Sequence, residues 1–485
     1  MADRAADSLI FDPGRNCWRI ETATKLSVII DAEDYFRAAR QAMLTAKQQI
    51  LLIGWDFDAR ILLTRDDPPD HPEAPREVGE FITWLTRRNP ALQVHILRWD
   101  LGALKSVFRG KTFRTLVKWR FGRQVHLKLD GTHPPGASHH QKIVVIDDCL
   151  AFCGGIDMTL SRWDTRAHAD RTGTRVDPDG CAYMPWHDAT TAIEGPAARA
   201  LGNLCRDRWQ RAGGKPIPLP EVTHECWPAC LTPDFTEARL AIARTQPEMA
   251  GSPPVHEIEA LYVDLIATAR RYIYAESQYF ASRRIAEAIA ARLAEPDGPE
   301  IVVINPARAD GWLEQEAMDT IRARLFQALK QRDPHGRLRL YHPVTAAGEP
   351  VYVHAKILVI DDRVLRVGSS NLNNRSLGLD TECDVALAAS DERTAWRIAA
   401  IRNGLLAEHL GTDSIAVATR LAETGSLIAT IDELRTTGRT LRDYRVPDLA
   451  AVEEWLADNE VLDSGDETVF EAMAAGGLLR KLRAP

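Results

Sequence analysis

Two stretches of this sequence share a polar pattern that strongly restricts how the chain can fold. They read "SHHQKIVVID" at 138–147 and "YVHAKILVID" at 352–361. Each places a histidine, a lysine two residues later and an aspartate five residues after the lysine, around one apolar run. The residues are His140, Lys142 and Asp147 in the first copy, and His354, Lys356 and Asp361 in the second, 214 residues further along. The repeated spacing predicts a duplication in which each copy supplies half of one site.

The chemistry of these side chains indicates catalysis on a phosphoryl group. On a strand, a histidine and a lysine two residues apart lie on the same face of the sheet. Two such pairs around one volume supply two imidazoles and two ammonium groups. One imidazole can attack phosphorus, the other can exchange the proton, and the lysines can stabilise the phosphoryl charge. This scheme needs no metal, so we expect none. Each histidine should also have a carboxylate on its other ring nitrogen.

Short β-rich runs alternate with helical patterns along most of the chain, which predicts an α/β fold. The order of the runs is the same on both sides of a Pro-rich span. We therefore expect two pseudo-symmetric α/β/α sandwich halves with mixed sheets, packed around one shared active site. The predicted boundaries are 1–215 for the first half, 216–254 for a Pro-rich linker, 255–411 for the second half and 412–485 for a helical C-terminal extension.

The formal net charge of −8 argues against a nucleic-acid partner. One segment differs, because residues 101–129 hold eight lysines and arginines, four interleaved aromatic residues and no acid. This basic–aromatic segment is either a solvated helix face or a surface for anionic lipid head groups. The chain has no apolar run of about 18 residues and no N-terminal apolar h-region. We expect a cytoplasmic or peripheral membrane location, with export by a route other than Sec left open.

The eight cysteines are scattered along the chain, and we expect them to be reduced thiols. His224, Cys226 and Cys230 have a spacing that zinc could use. A fourth ligand is not visible nearby, so buried thiols are the preferred interpretation.

The two motifs and their surroundings resemble the phospholipase D superfamily, whose members carry two H-x-K-x4-D motifs. "GGIDMTLSRWDT" and "PWHD" in the first half are similar to motifs of the eukaryotic-type phospholipases D, as are "IYAESQYF" and "GSSNLNNRSLGLDTECDV" in the second. The resemblance extends from about residue 25 to residue 410.

The resemblance implies a role for each matching residue. His140 would be the nucleophile and His354 the general acid and base. Lys142, Lys356 and Asn371 would bind the substrate phosphate, whereas Asp157, which replaces an asparagine in the first half, would not. The orienting acids would be Asp188 and Glu382, with their pairing to the two histidines left open. Asp147 and Asp361 belong to the motifs, but at strand ends we expect them to brace the fold, and His139 to be structural.

The implied activity is that of a phospholipase D, which hydrolyses a glycerophospholipid such as phosphatidylcholine to phosphatidic acid and free head group through a covalent phosphohistidine. Transfer of the phosphatidyl group to alcohols would accompany it. The expected partner is a phospholipid membrane surface, the expected state a monomer, and no cofactor is expected, with Ca²⁺ dependence left open. The alternatives are a phosphatidyltransferase of the cardiolipin-synthase kind, another phosphodiesterase or nuclease, or a lipid-binding scaffold without activity.

Overall fold

The structure is a computed structural model that describes residues 10–65, 71–100, 119, 123–170, 172–221, 224–249, 251–308 and 312–446. Most of the basic–aromatic segment lies outside these ranges, so its role as a helix face or a lipid-binding surface stays a prediction. Residues 447–485 of the predicted C-terminal extension also lie outside them, and their helical structure stays a prediction.

Most of the described strands are short and largely buried. They are β1 (Arg19–Ile30), β2 (Gln49–Gly54), β3 (Gln93–Trp99), β4 (Val125–Asp130), β5 (Ile143–Ile146), β6 (Leu150–Gly154), β7 (Trp186–His187), β8 (Ala189–Glu194), β9 (Phe235–Gln246), β10 (Val255–His256), β11 (Tyr272–Glu276), β12 (Glu300–Ile304), β13 (Leu338–Val344), β14 (Tyr352–Val353), β15 (Ile357–Ile360), β16 (Val364–Gly368), β17 (Glu382–Ala388) and β18 (Thr440–Asp443).

The described α-helices alternate with these strands. They are α1 (Ala32–Thr45), α2 (Val78–Arg88), α3 (Pro196–Arg211), α4 (Glu257–Thr268), α5 (Arg283–Leu293), α6 (Trp312–Gln331), α7 (Glu392–Leu410), α8 (Ser414–Thr424) and α9 (Leu427–Leu434). A π-helical turn covers Arg375–Leu379. Helix α7 begins where the Asp391 side chain accepts the Thr394 N–H at 2.7 Å. It ends at Gly411, which has a left-handed φ of 63° that glycine adopts without a steric penalty.

The prediction of an α/β fold with mixed strand pairing is confirmed, but the strands form one sheet rather than one sheet per half. Within the described residues this 16-stranded sheet runs β18-β13-β12-β11-β15-β16-β17-β9-β1-β8-β6-β5-β2-β3-β4, with β10 on β9. The long strands β1 and β9 pair antiparallel at its centre and so join the halves. Outward from this pair, the strands of each half follow the same order. Strands β2, β3 and β4 are parallel to one another, as are β11, β12 and β13.

The side chains of the two motif strands alternate between the two faces of the sheet, and this alternation explains why a hydrophobic core lies on each face. Ile143 and Val145 of β5 contribute to the same hydrophobic core as Ile357 and Val359 of β15, and this core spans both halves. The residues between them face the opposite side, where each half has a separate core. A strand with both faces buried reads as a continuous apolar run, and both motifs show such a run.

Two predicted boundaries need correction. The span 216–254 is not only a linker, because β9 lies within it and is a central strand of the sheet. The extension after residue 411 is not only helical, because β18 follows α9 and pairs antiparallel with β13 at the sheet edge. Among the described residues, no helix combines the length and apolarity that crossing a bilayer requires.

The prediction of reduced cysteines is wrong for one pair. Cys149, in the turn between β5 and β6, forms a disulfide with Cys226, and their Cα atoms are 6.1 Å apart. That separation is within the range of disulfides. The chain after α3 folds back over the turn, which sequence spacing alone does not reveal. His224 lies beside the pair, with its Nε2 atom 3.3 Å from the Cys226 Sγ atom.

Candidate active site

Both motif histidines lie on the wall of one cavity of about 210 Å³ between the halves. Its lining includes residues of both halves: Trp55, Trp99, Ser138, His140, Asp157, Arg162, Trp186, Gln278, Tyr279, Met318, His354, Asn371, Asn373, Arg375, Ser376 and Asp380. The sequence predicted that the two motifs meet, and the structure brings their histidines to the same space.

The backbone of His140 is held by the second half of the chain. Its N–H donates to the Thr381 carbonyl oxygen at 2.9 Å. Because Glu382 follows Thr381, its carboxylate reaches the imidazole, with Oε1 2.9 Å and Oε2 3.0 Å from Nδ1. Ser369 donates a further hydrogen bond to Glu382. The Nδ1 atom therefore carries the proton that points to the carboxylate, which leaves Nε2 as the basic atom.

His354 is held by the first half in the same way. Strands β7 and β14 pair in parallel, and the His354 N–H donates to the His187 carbonyl oxygen at 2.7 Å. This contact places Asp188, the residue after His187, with its Oδ2 atom 2.6 Å from the Nδ1 atom of His354. The pairing that the sequence left open is thus crossed, since each histidine is oriented by an acid of the opposite half.

The two lysines are buried, are not among the residues that line the cavity, and differ in their partners. The Lys142 Nζ atom donates to the His140 carbonyl oxygen at 2.9 Å and lies 3.0 Å from Asp157 Oδ2. Lys356 donates to the His354 carbonyl oxygen. The equivalent of Asp157 in the second half is Asn371, which is neutral. The Lys142 charge is therefore partly neutralised in place, and the site is asymmetric.

Burial lowers the pKa of both His140 and His354 well below the ordinary value of 6.5, and the nearby lysine ammonium groups lower it further. Both imidazoles are therefore neutral at neutral pH. Burial also raises the pKa of Glu382 to about 7, against the opposing effect of Lys142. Above that pH the Glu382 carboxylate accepts the Nδ1–H of His140, and this gives the neutral imidazole the protonation state that a nucleophile needs.

The two motif aspartates brace strands and do not line the cavity. Asp147 accepts the backbone N–H groups of Lys47, Gln48 and Gln49, at 2.6, 2.9 and 2.6 Å, and so fixes the start of β2. Asp361 makes the equivalent three contacts at the start of β11. His139 is also buried, between Thr381 and Asp130, and its contacts are those of a structural residue.

Several lining residues were given no role from the sequence, although Arg162 and Trp186 lie within quoted motifs. Arg162 lies over the Trp186 ring at 4.3 Å and adds a third cation near His354. Trp55 and Trp99 stack with their ring centroids 5.9 Å apart. Their positions after β2 and at the end of β3 indicate a wall at the same sheet edge, but sequence reasoning alone does not show that they meet.

Comparisons with known proteins show which families this chain is similar to. Residues 42–228 match the protein family described as "Phospholipase D", and residues 262–400 match the one described as "Cardiolipin synthase, PLD-like domain". Phospholipase D A of Dictyostelium discoideum is 25% identical over 76% of this chain and 33% of its own length. Phospholipase D alpha 1 of Nicotiana tabacum is 24% identical over 78% of this chain and 63% of its own length.

The chain thus matches less than two thirds of the length of these curated relatives. Among solved structures, a phosphatidylserine synthase of Haemophilus influenzae Rd KW20 is similar in fold. It has a TM-score of 0.52 and 15% sequence identity, over 83% of this chain and 90% of that one.

Proposed function

Since this chain belongs to the phospholipase D superfamily, we propose that it hydrolyses the distal phosphodiester bond of glycerophospholipids, such as phosphatidylcholine, to phosphatidic acid and a free head group. One observation carries the proposal: two neutral histidines line one cavity, and each is oriented by a buried carboxylate of the other half. This arrangement suits a two-step displacement at phosphorus.

In the first step the Nε2 atom of His140 attacks phosphorus and forms a P–N bond. The bond from phosphorus to the head-group oxygen breaks, and that oxygen takes a proton from His354. The anionic phosphate raises the pKa of a nearby imidazole, so His354 takes up its proton as substrate binds. Asp188 stabilises the resulting imidazolium.

In the second step His354, now neutral, accepts a proton from water as the water oxygen attacks phosphorus. The P–N bond breaks and phosphatidic acid leaves. If an alcohol replaces water in this step, the product is a phosphatidyl alcohol. The alcohol gives its proton to His354, and the P–N bond breaks as before. Transfer to alcohols is therefore part of the proposed activity.

The cations of the site account for charge stabilisation in this scheme. Lys356, Lys142 and Asn371 would contact the non-bridging phosphate oxygens, and Arg162 would supply a further positive charge. The partner is a phospholipid surface, because the substrate is presented there. A single chain supplies both histidines and both orienting acids, so we propose a monomer as the active form.

The test is head-group release from mixed phospholipid vesicles, with and without ethanol. We expect phosphatidic acid from the wild type and phosphatidylethanol when ethanol is present. His140→Ala and His354→Ala should both abolish release, whereas His342→Gln, on the distant strand β13, serves as a control for loss of a histidine. A wild type that leaves every phospholipid intact but cleaves a soluble phosphodiester would refute the substrate assignment.

A further inference from the structure

A cluster of buried ionisable residues lies behind the active site and takes no part in the proposed reaction. We call it the buried histidine–carboxylate cluster, and its members are Asp31, His168, His187 and Glu408. Their exposed fractions are 1%, 1%, 0% and 7%. One nitrogen or oxygen atom from each residue lies within 4.8 Å of all the others. Asp31, His168 and His187 come from the first half, and Glu408 comes from α7 of the second.

The distances between the inward-facing atoms fit a metal ion. The Nδ1 atom of His187 lies 2.8 Å from Glu408 Oε1 and 3.2 Å from Asp31 Oδ1. The Nε2 atom of His168 lies 3.0 Å from Glu408 Oε1 and 3.6 Å from Asp31 Oδ2. A tetrahedral zinc ion with nitrogen and oxygen bonds of about 2.0–2.2 Å has ligand atoms separated by roughly 3.3 Å. The four separations, in which Asp31 is approached through either of its two oxygens, bracket that value.

The outward-facing nitrogen of each histidine is held by a carboxylate. His168 Nδ1 lies 3.0 Å from Asp164 Oδ2, and His187 Nε2 lies 2.8 Å from Glu276 Oε2. A proton on each outer nitrogen leaves a lone pair on the inner one. Metal-binding histidines in proteins commonly show this arrangement, in which the second nitrogen donates to a carboxylate and thereby fixes the tautomer.

The two carboxylates of the cluster are also anchored from behind. Arg166 Nε lies 2.5 Å from Glu408 Oε2, and the Asp188 N–H donates to Asp31 Oδ1 at 3.0 Å. Within the described part of the chain, Asp31 Oδ2 and His187 Nδ1 make no hydrogen bond of good geometry, although both have charged neighbours: His187 Nδ1 lies 2.8 Å from Glu408 Oε1, and Asp31 Oδ2 lies 3.6 Å from His168 Nε2. Both atoms are buried and lie on the inner side of the cluster. A buried polar atom without a good hydrogen bond is costly, so two of them facing one point indicate a missing ligand.

We propose that this cluster binds one divalent transition-metal ion, zinc in the first instance, as a structural site. Two imidazole nitrogens and two carboxylate oxygens complete a closed four-coordinate shell, with no position left for substrate. The ion would fasten the loop around His168 and strand β7, which carries His187, to the end of α7. It would also hold Asp31, which in turn contacts the backbone of Asp188, the acid that orients His354. In the alternative interpretation no metal binds, and each of the two histidines instead carries a second proton.

The experiment uses the full chain without a polyhistidine tag. Because the cluster is buried, the protein is unfolded in guanidinium chloride with EDTA and refolded with or without Zn²⁺. After desalting, we expect about one zinc ion per chain and a higher midpoint of thermal unfolding in the zinc-refolded sample. His187→Gln and Glu408→Gln should each weaken zinc affinity by about tenfold or more.

Two controls separate this site from its neighbours. His409→Gln removes a fully buried histidine that contacts Glu276 at 3.0 Å, from outside the cluster, and should keep the zinc. The His409 variant also tests a second group that could hold an ion, His187, Glu276 and His409. Cys226→Ser tests a third group, Cys149, His224 and Cys226, which could bind an ion only with its disulfide reduced, and this variant should also keep the zinc. X-ray absorption of the bound zinc should show nitrogen and oxygen neighbours without sulfur.

The proposal is overturned if the refolded wild type retains less than about one tenth of an ion per chain, because the cluster is then held by protons. It is also overturned by a sulfur neighbour, or by a zinc ion that His409→Gln removes and Glu408→Gln does not. If the cluster variants fail to fold, the metal content and absorption spectrum of the wild type decide the question alone.

Discussion

Replacing Asp188 by asparagine should separate the two steps of the proposed reaction. Asp188 contacts the Nδ1 atom of His354 at 2.6 Å and is completely buried. The asparagine keeps the size of the side chain but removes its charge. His354 then loses the partner that stabilises its imidazolium form, whereas His140 keeps Glu382. We expect attack by His140 to survive when the leaving group needs no proton.

The magnitude follows from the buried ion pair. Charges about 4 Å apart attract by about 4 kcal/mol at an effective dielectric constant of about 20. Losing this stabilisation in the transition state corresponds to about a thousand-fold in rate. The loss applies to the expulsion of a poor leaving group and to the activation of water. In both steps the His354 imidazole carries positive charge in the transition state, either as it gives up a proton or as it gains one.

The assay uses a phosphatidyl ester of p-nitrophenol, which is a good leaving group. Asp188→Asn should give a burst of nitrophenol close to one equivalent per site, followed by turnover reduced about a thousand-fold. The phosphatidyl group should remain on the enzyme as an acid-labile, base-stable phosphohistidine that mass spectrometry assigns to His140. With phosphatidylcholine the same variant should give no burst.

The matched variant is Glu382→Gln, which acts on the other histidine. The glutamine amide can donate to Nδ1 of His140 and so place the imidazole proton on Nε2, where it blocks attack. We expect no burst from either substrate. Equal bursts from both variants, or a phosphatidyl group found on His354 in Asp188→Asn, would show that the roles of the two histidines are assigned wrongly.

Three further predictions concern stability. Asp147→Ala removes three backbone contacts and should lower the free energy of unfolding by roughly 3–5 kcal/mol in urea titrations; a loss under about 1 kcal/mol would contradict the bracing role. Reducing the Cys149–Cys226 disulfide, which spans 77 residues, should lower the free energy of unfolding by roughly 4 kcal/mol. In Cys226→Ser, which lacks the disulfide, the midpoint of the unfolding transition should not change when a reductant is added. Burial lowers the pKa of His139 to about 4, so the unfolded chain gains a proton below pH 6.5 before the folded one does. His139 alone should therefore lower the free energy of unfolding by up to about 3 kcal/mol from pH 6.5 to 4, and His139→Gln should remove that share of the pH dependence, while other buried histidines such as His140 and His354 keep theirs.

Much of the fold is local enough to be predicted from the sequence. The apolar run of the first motif contains β5, and that of the second contains β15, because strand periodicity is set by neighbouring residues. The bracing roles of Asp147 and Asp361 also follow from their position after a buried strand.

Other features depend on contacts between distant segments and could not be predicted. Strand β9 lies between Pro-rich stretches, so its neighbours suggested a linker although its own residues form a central strand. The Cys149–Cys226 pair forms because the chain after α3 folds back across a turn. The buried histidine–carboxylate cluster collects side chains from four separate segments, and no spacing in the sequence indicates that they meet.

The crossed acids make the two halves depend on each other. His140 without the second half would lose both Glu382 and the backbone contact at Thr381, and His354 without the first half would lose Asp188 and the carbonyl of His187. A buried carboxylate is also costly unless it is hydrogen-bonded, so Glu382 and Asp188 are stable in place only when the opposite histidine is there to contact them. When the two halves pack together, each imidazole is therefore oriented and each acid gains its hydrogen-bond partner at the same time. Neither half alone holds an oriented histidine, so the candidate site is complete only when both halves are packed together.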